Sequence, residues 1–262
     1  MDNLSKSDSI FHFKKFSLFQ GRTAMRINTD GVLLGCWMRI LPNDYSFLDI
    51  GTGCGVISLI LMQRIAEINT KYNILAIEPD KGSCMDAEEN FESVKNNNEI
   101  KVMNISLQDY ANLANKCSYD MIYTNPPYFV KSLKSSDSKR SNTRHADTLP
   151  QSDIILSALS LLKNGGRLNI ILPLIEAELF LKKVEAINKL NIKYGEQLSL
   201  NRLCKVFTTE NKPAKRYMME FIKNNSIKEL NPQYKTEELI LMRDGTWTPS
   251  YISLVKDFYL NF

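Results

Sequence analysis

From Ser46 onward, short apolar runs alternate with longer amphipathic ones, the pattern of a parallel sheet with helices on its faces. Residues 47–50, 74–77, 100–105, 119–123 and 167–172 read as strands, and residues 56–68, 81–95, 152–162 and 176–190 as helices. Asn164-Gly165-Gly166 reads as the stop of the helix over 152–162, and Pro173 as the end of the fifth strand. Beyond it, residues 192–200, 216–222 and 239–242 read as further strands, adding an antiparallel edge to a mostly parallel α/β sheet. Ahead of the sheet, residues 11–19 mix aromatics with Lys14 and Lys15, as an edge strand or an arm lying on the main body would. Residues 32–40 read as a helix capped by Thr29 or Asp30, and Pro42-Asn43-Asp44 sets this piece apart. The division expected is therefore 1–45, an arm and a helix, and 46–262, the sheet domain with a C-terminal strand extension.

Composition narrows the class. A chain of 262 residues can bury a full core. No apolar run nears the roughly 18 residues that span a bilayer, and the polar start Met1 to Lys6 is not ordered like a signal peptide. The expectation is a cytoplasmic protein with no membrane partner. The five cysteines are scattered, with no Cys-x-x-Cys pair and only two histidines, so neither a metal nor a disulfide framework is expected. A net charge of +4 permits RNA binding without demanding it. Within residues 131–146, Lys131, Lys134, Lys139, Arg140 and Arg144 stand among serines, as in a solvated loop or one that follows a phosphate backbone.

Asp49-Ile50-Gly51-Thr52-Gly53-Cys54-Gly55 joins the first strand of the sheet to its first helix. Gly51, Gly53 and Gly55 let the backbone approach a ligand at the strand ends, where open α/β sheets bind. The run is neither Gly-x-Gly-x-x-Gly nor a Gly-Lys-Ser/Thr loop, which argues against a phosphorylated ligand and so against a nicotinamide dehydrogenase. Asp49 could accept from an amino-acid ammonium group, directly or through water. Glu78 ends the second strand, placed for the two hydroxyls of a ribose. Asp109 follows the third and could accept from an adenine amine. Amino acid, ribose and adenine together make S-adenosylmethionine. Each carboxylate alone is an ordinary strand-end residue; the order of the set is the signal.

The fourth strand runs into Asn125-Pro126-Pro127-Tyr128-Phe129. The prolines remove two backbone donors and fix two φ angles, leaving the Asn125 side chain and the Pro126 carbonyl as rigid acceptors. Two acceptors suit an amino group with two hydrogens. On a nucleobase that group is conjugated into the ring, and acceptors on both hydrogens draw it toward a pyramidal geometry with its lone pair free. Tyr128 offers a ring for the base to stack on.

These elements resemble the class I S-adenosylmethionine-dependent amino-methyltransferases, whose fold is Rossmann-like. A closer similarity is to the bacterial tRNA1(Val) (adenine-37-N6)-methyltransferase family. It rests on Phe11-x-Phe13-Lys14-x-Phe16, Ala24-Met25-x-x-x-Thr29-Asp30-Gly31-x-Leu33-Leu34-Gly35-x-Trp37, the glycine loop, Asn125 to Phe129, Arg144-His145 and Asp257-Phe258-Tyr259-Leu260. The resemblance implies N6-methylation of a tRNA adenosine by a monomeric enzyme, with Asn125, Pro126 and Tyr128 catalytic. Thr29, Asp30, Asp49, Gly51, Gly53, Gly55, Glu78, Asp109 and Asn125 would hold S-adenosylmethionine; Phe129, Lys139, Arg140, Arg144 and His145 would meet the RNA. Asn-Pro-Pro-Tyr is shared with glutamine-amide and rRNA methyltransferases, so these stay as alternatives, as does a non-catalytic RNA-binding protein on the same fold.

Overall fold

The computed structural model describes residues 9–23, 25–68, 71–94, 99–127, 149–191, 195–225 and 233–262. Five parallel strands carry the site: β3 (Ser46–Ile50), β4 (Asn73–Ile77), β5 (Glu99–Met103), β6 (Tyr119–Thr124) and β7 (Leu162–Pro173). Their alternating side chains feed two cores. Phe47 of β3 packs on one face of the sheet while Leu48 and Ile50 pack on the other. Helices α1 (Thr29–Trp37), α2 (Val56–Ile65), α3 (Lys81–Ser93) and α7 (Pro249–Val255) cover the first face. Helices α4 (Leu107–Leu113), α5 (Gln151–Leu161) and α6 (Leu174–Asn191) cover the second.

The sheet continues through β8 (Gln197–Thr209), β9 (Arg216–Asn224), β10 (Lys235–Arg243) and the short β11 (Thr246–Trp247), in the order β11-β10-β8-β9-β7-β6-β3-β4-β5. The antiparallel part is narrower than a whole edge. Strand β9 runs antiparallel between β7 and β8 and the edge strand β11 antiparallel to β10, whereas β10 is parallel to β8. The cause is connectivity: the short connection 210–215 joins β8 to β9 as neighbours, while β10, next after β9 in sequence, pairs on the far side of β8.

Three elements differ from the expected pattern for local reasons. Strand β5 ends at Met103, and Ser106 then caps α4 through the Asp109 amide at 3.1 Å, a Ser-x-x-Asp start hidden by its short helix. Thr248 caps α7 through the Tyr251 amide, with Pro249 at the first helical position. Asn164, Gly165 and Gly166 do not close α5, which ends at Leu161; they lie within β7, where the pairing with β6 slips between Tyr119 and Met121.

The first residues do not form an edge strand of the main sheet. Among the described residues, strands β1 (Ile10–His12) and β2 (Ser17–Phe19) pair only with each other. Phe13 and Phe16 are buried, Phe13 stacks on Tyr259 with ring centres 5.8 Å apart, and the Lys14 amide donates to the Phe258 carbonyl. The aromatic arm is thus a clasp on the chain's last helix and its tail, which accounts for both end motifs as packing.

Candidate active site

The turn from β3 to α2 sits on the first face, closed by bonds from the Gly51 and Thr52 amides to the Ile77 carbonyl at 2.9 and 3.2 Å. Gly55 caps α2 at φ 92, and a Cβ there would lie 2.5 Å from a ring carbon of Phe91 on α3. Gly55→Ala is expected to lower unfolding free energy by about 1–3 kcal/mol, from the left-handed backbone and the clash together, and urea denaturation measures it.

Asp49 lies beneath this turn, fully buried. Its Oδ2 accepts from the hydroxyls of Thr52 and Ser58, each at 2.7 Å, and Ser58 is joined in turn to the Tyr123 hydroxyl. Oδ1 has no hydrogen-bond partner among the described residues. Burial pushes the Asp49 carboxyl up to about 7 against the pull of the two hydroxyls, and it drives the Tyr123 hydroxyl well above its ordinary value.

Glu78, just past β4, is the second carboxylate of the site. Its Oε2 accepts from the Gly53 amide and its Oε1 from the Asp80 amide, both at 2.9 Å. Burial raises its pKa despite these bonds. Asn104 clamps the same bend by donating to the Glu78 and Pro79 carbonyls. Each Glu78 oxygen keeps a lone pair.

Gly51, Thr52, Gly53 and Glu78 border a cleft of about 730 Å³, within the size range of small-molecule sites, whereas Asp49 and Gly55 do not line it. Gly51, Gly53 and Glu78 line it on one side and Asn125 and Pro127 on another. Asn125 is half-buried at the end of β6 and Pro126 is buried behind it. Expected site residues are not all gathered. Asp109 is exposed, held by the Ser106 hydroxyl at 2.6 Å, and Ser106, Leu107 and Gln108 face the cleft in its place. Thr29 is exposed, and Asp30 accepts from Arg216 Nε at 2.7 Å; neither lines the cleft. Tyr128, Phe129, Lys139, Arg140, Arg144 and His145 lie outside the described residues.

The wall opposite the glycine turn comes from the segment before α1, including Met25, Arg26 and Asn28. Arg22 and Thr23 hold it down, their amides both donating to the buried Asp86 Oδ2 at 2.8 and 2.9 Å. Asn28, not Thr29 or Asp30, caps α1: its side-chain oxygen accepts from the Gly31 amide at 3.0 Å and from Asn125 Nδ2 at 3.4 Å. A run of three cap-forming residues, Asn28-Thr29-Asp30, was the available signal, and helix phase chose the first. Gly31 and Gly35, one turn apart, let α1 lie close on α2; added Cβ atoms would meet Val56 at 3.2 Å and Ile60 at 3.0 Å.

A glycine turn, a paired acceptor at the second strand and an Asn-Pro-Pro end at the fourth now border one cleft. Residues 33–188 match the methyltransferase small domain. A tRNA1(Val) (adenine(37)-N6)-methyltransferase of Trichodesmium erythraeum is 37% identical over 252 residues, covering 96% of this chain and 98% of that one. The chain belongs to the tRNA1(Val) (adenine(37)-N6)-methyltransferase family. Two further members agree, from Parabacteroides distasonis at 34% identity over 95% of this chain and 97% of its own, and from Mannheimia succiniciproducens at 31% over 100% and 98%. Among solved structures, a predicted O-methyltransferase from Agrobacterium tumefaciens superposes with a TM-score of 0.61 at 14% identity, covering 87% of this chain and 96% of that one. P. horikoshii TYW2 in complex with MeSAdo superposes with a TM-score of 0.54 at 16% identity, covering 83% and 71%. These two speak for the shared fold.

The family's aromatic start and tail are the clasp described above, and its Thr-Asp-Gly block is the close-packed start of α1. No helix among the described residues is long and apolar enough to cross a membrane, and none of their His, Cys, Asp and Glu side chains cluster as metal ligands do.

Proposed function

We propose that the chain transfers a methyl group from S-adenosylmethionine to N6 of adenine 37 in tRNA1(Val), in the cytoplasm, with Asn125 at the reacting nitrogen. The observation that carries the reading is the placing of Asn125 and Glu78 on the same cleft. The residues fit the methyl donor: close glycine backbone and two free lone pairs on Glu78 for ribose hydroxyls at the cleft wall, and, one hydrogen bond behind the lining residue Thr52, the buried Asp49 Oδ1, unpartnered among the described residues, for an ammonium group reached directly or through water. Gln108, which does line the cleft, takes the adenine-side role expected of Asp109.

When bound, S-adenosylmethionine supplies an electrophilic methyl group on sulfonium, already attached to a good leaving group. The chain's own work is positioning. Asn125 Oδ1 and the Pro126 carbonyl accept the two amine hydrogens and expose the lone pair, so no strong base is needed. Tyr128 and Phe129 flank an adenosine turned out of its stack, and Lys139, Arg140, Arg144 and His145 follow the RNA backbone.

The Asp49 assignment has a pH signature. Free protein holds a proton there below about pH 7, and a neighbouring ammonium favours the carboxylate, so the proton leaves on binding. Cofactor affinity should therefore rise from about pH 5 to pH 7, with release of up to about one proton near pH 6. Calorimetry in buffers of differing ionisation enthalpy measures it, and Asp49→Asn should show none. For folding the sign is the reverse of an ion-paired aspartate: the contribution is present below about pH 4 and lost as pH rises through about 7.

The reaction itself is tested by nucleoside mass spectrometry of unmodified tRNA incubated with the protein and labelled S-adenosylmethionine. N6-methyladenosine at position 37 is the expected product. In parallel incubations with rRNA or a protein extract in place of tRNA, label there and not in tRNA would point to one of the other methyltransferases, and tRNA binding with no label in any of them to a binding protein.

A further inference from the structure

The bond between Asn28 and Asn125 joins residues 97 positions apart across the cleft, and it carries information about direction. A main-chain N–H can only donate, so the Asn28 atom facing the Gly31 amide is its carbonyl oxygen. That oxygen accepts only a donor from Asn125. Asn125 must therefore turn Nδ2 toward Asn28, which leaves its Oδ1 as the amide atom directed elsewhere. The far end of Asn28 is also held, by a weak bond from its Nδ2 to Met25 Sδ at 3.6 Å.

We propose that Asn28 is a positioning residue for methyl transfer, fixing the orientation of the Asn125 amide so that its carbonyl and not its amino group meets the nitrogen to be methylated. The proposal rests on the reading of Asn125 given above. With the Asn125 amide reversed, its carbonyl would face the Asn28 carbonyl, acceptor against acceptor, and its amino group would present donors to an amine that needs acceptors. The rigid reference is the first turn of α1. Gly31 N–H orients Asn28, and Asn28 orients Asn125, so a helix cap sets the state of a side chain on the sheet. Asn28 acts through Asn125 and takes no part in bond making.

Two substitutions separate this role from capping. Asn28→Ser keeps a good cap for the Gly31 amide, but its oxygen sits on Cβ and falls short of Asn125. Asn28→Asp keeps an acceptor for both partners. Single-turnover transfer to tRNA should fall about tenfold in Asn28→Ser and recover to within about threefold of wild type in Asn28→Asp, on the scale of one hydrogen bond. Cofactor affinity by calorimetry, the KM for tRNA and the melting temperature should stay near wild type in both. A readout free of turnover is the side-chain amide signal of Asn125 in heteronuclear NMR spectra of the free protein, assigned by its loss in Asn125→Ala. It should move in Asn28→Ser and stay in Asn28→Asp. A wild-type rate in Asn28→Ser overturns the proposal, as does an Asn125 signal that Asn28→Ser leaves in place or a rate loss that Asn28→Asp does not recover. Wild-type turnover in Asn125→Ala is a different failure, since it removes the catalytic reading itself.

Discussion

Asn125→Ala should lower single-turnover methyl transfer by about a hundredfold or more, the scale of a lost transition-state contact, while cofactor and tRNA binding stay near wild type. The separation follows from what the side chain touches. Asn125 is half-buried, so its removal opens no large core cavity, and its partner Asn28 Oδ1 keeps the Gly31 amide as donor. No buried group is orphaned and α1 keeps its cap. The acceptors proposed for the ribose and the ammonium group, Glu78 just past β4 and Asp49 in β3, lie elsewhere in the sheet. What is lost is an acceptor that matters most as the amine pyramidalises, so the deficit should appear in the rate and not in KM. Asn125→Asp is the finer test: it retains an acceptor but sets a carboxylate oxygen against the Asn28 carbonyl, and partial activity is expected. The measurement is N6-methyladenosine formed per turnover on unmodified tRNA. Wild-type turnover in Asn125→Ala would refute the placing of the chemistry at this strand end.

Glu78→Ala should weaken S-adenosylmethionine binding by about 2–3 kcal/mol, roughly thirty- to a hundredfold or more, read by calorimetry. Two losses combine. One is the charge-assisted acceptor for ribose hydroxyls in a partly closed cleft. The other is structural, because Glu78 receives the Gly53 amide from the glycine turn and the Asp80 amide at the start of α3. Without it both donors turn to water and the turn loses its pre-set form, so the binding loss should exceed that of a simple contact. Glu78→Gln distinguishes the two: it keeps an oxygen for one amide but sets an NH2 group against the other, and should bind with intermediate affinity. Unchanged affinity in Glu78→Ala would remove Glu78 from the cofactor site.

Most of the sheet was legible because strand and helix periods are local properties. The runs at Phe47, Ile74 and Tyr119 each sit in a segment whose neighbours within a few residues decide its period, and the structure moves their ends by only a few positions. The glycine turn and Asn-Pro-Pro were legible for the same reason, since backbone freedom and the loss of an N–H belong to the residue type itself. Short elements escaped: α4 and α7 are each 7 residues, too few for a period, and only their caps at Ser106 and Thr248 announced them.

Which polar residue of a promising cluster reaches the cleft was decided by tertiary structure alone. Thr29 and Asp30 sit beside Asn28 in sequence, yet on a helix each successive residue turns by about a quarter of the circumference, so only the cap faces Asn125. The same rotation turns Asp109 back to Ser106 and brings Gln108 to the cleft. Asp49 alternates to the first face of β3 and ends beneath the glycine turn, buried with two hydroxyls from α2 and its approach. The aromatic arm met its partners near residue 258, and β9 its place between β7 and β8, through contacts that no window of sequence spans. By itself the sequence determined the elements and the chemistry available at their ends, since both follow from residue type and short-range spacing. Only the fold decided which donor faces which acceptor, because hydrogen bonding depends on direction to within a few tens of degrees, and that direction is set by packing between segments far apart in the chain.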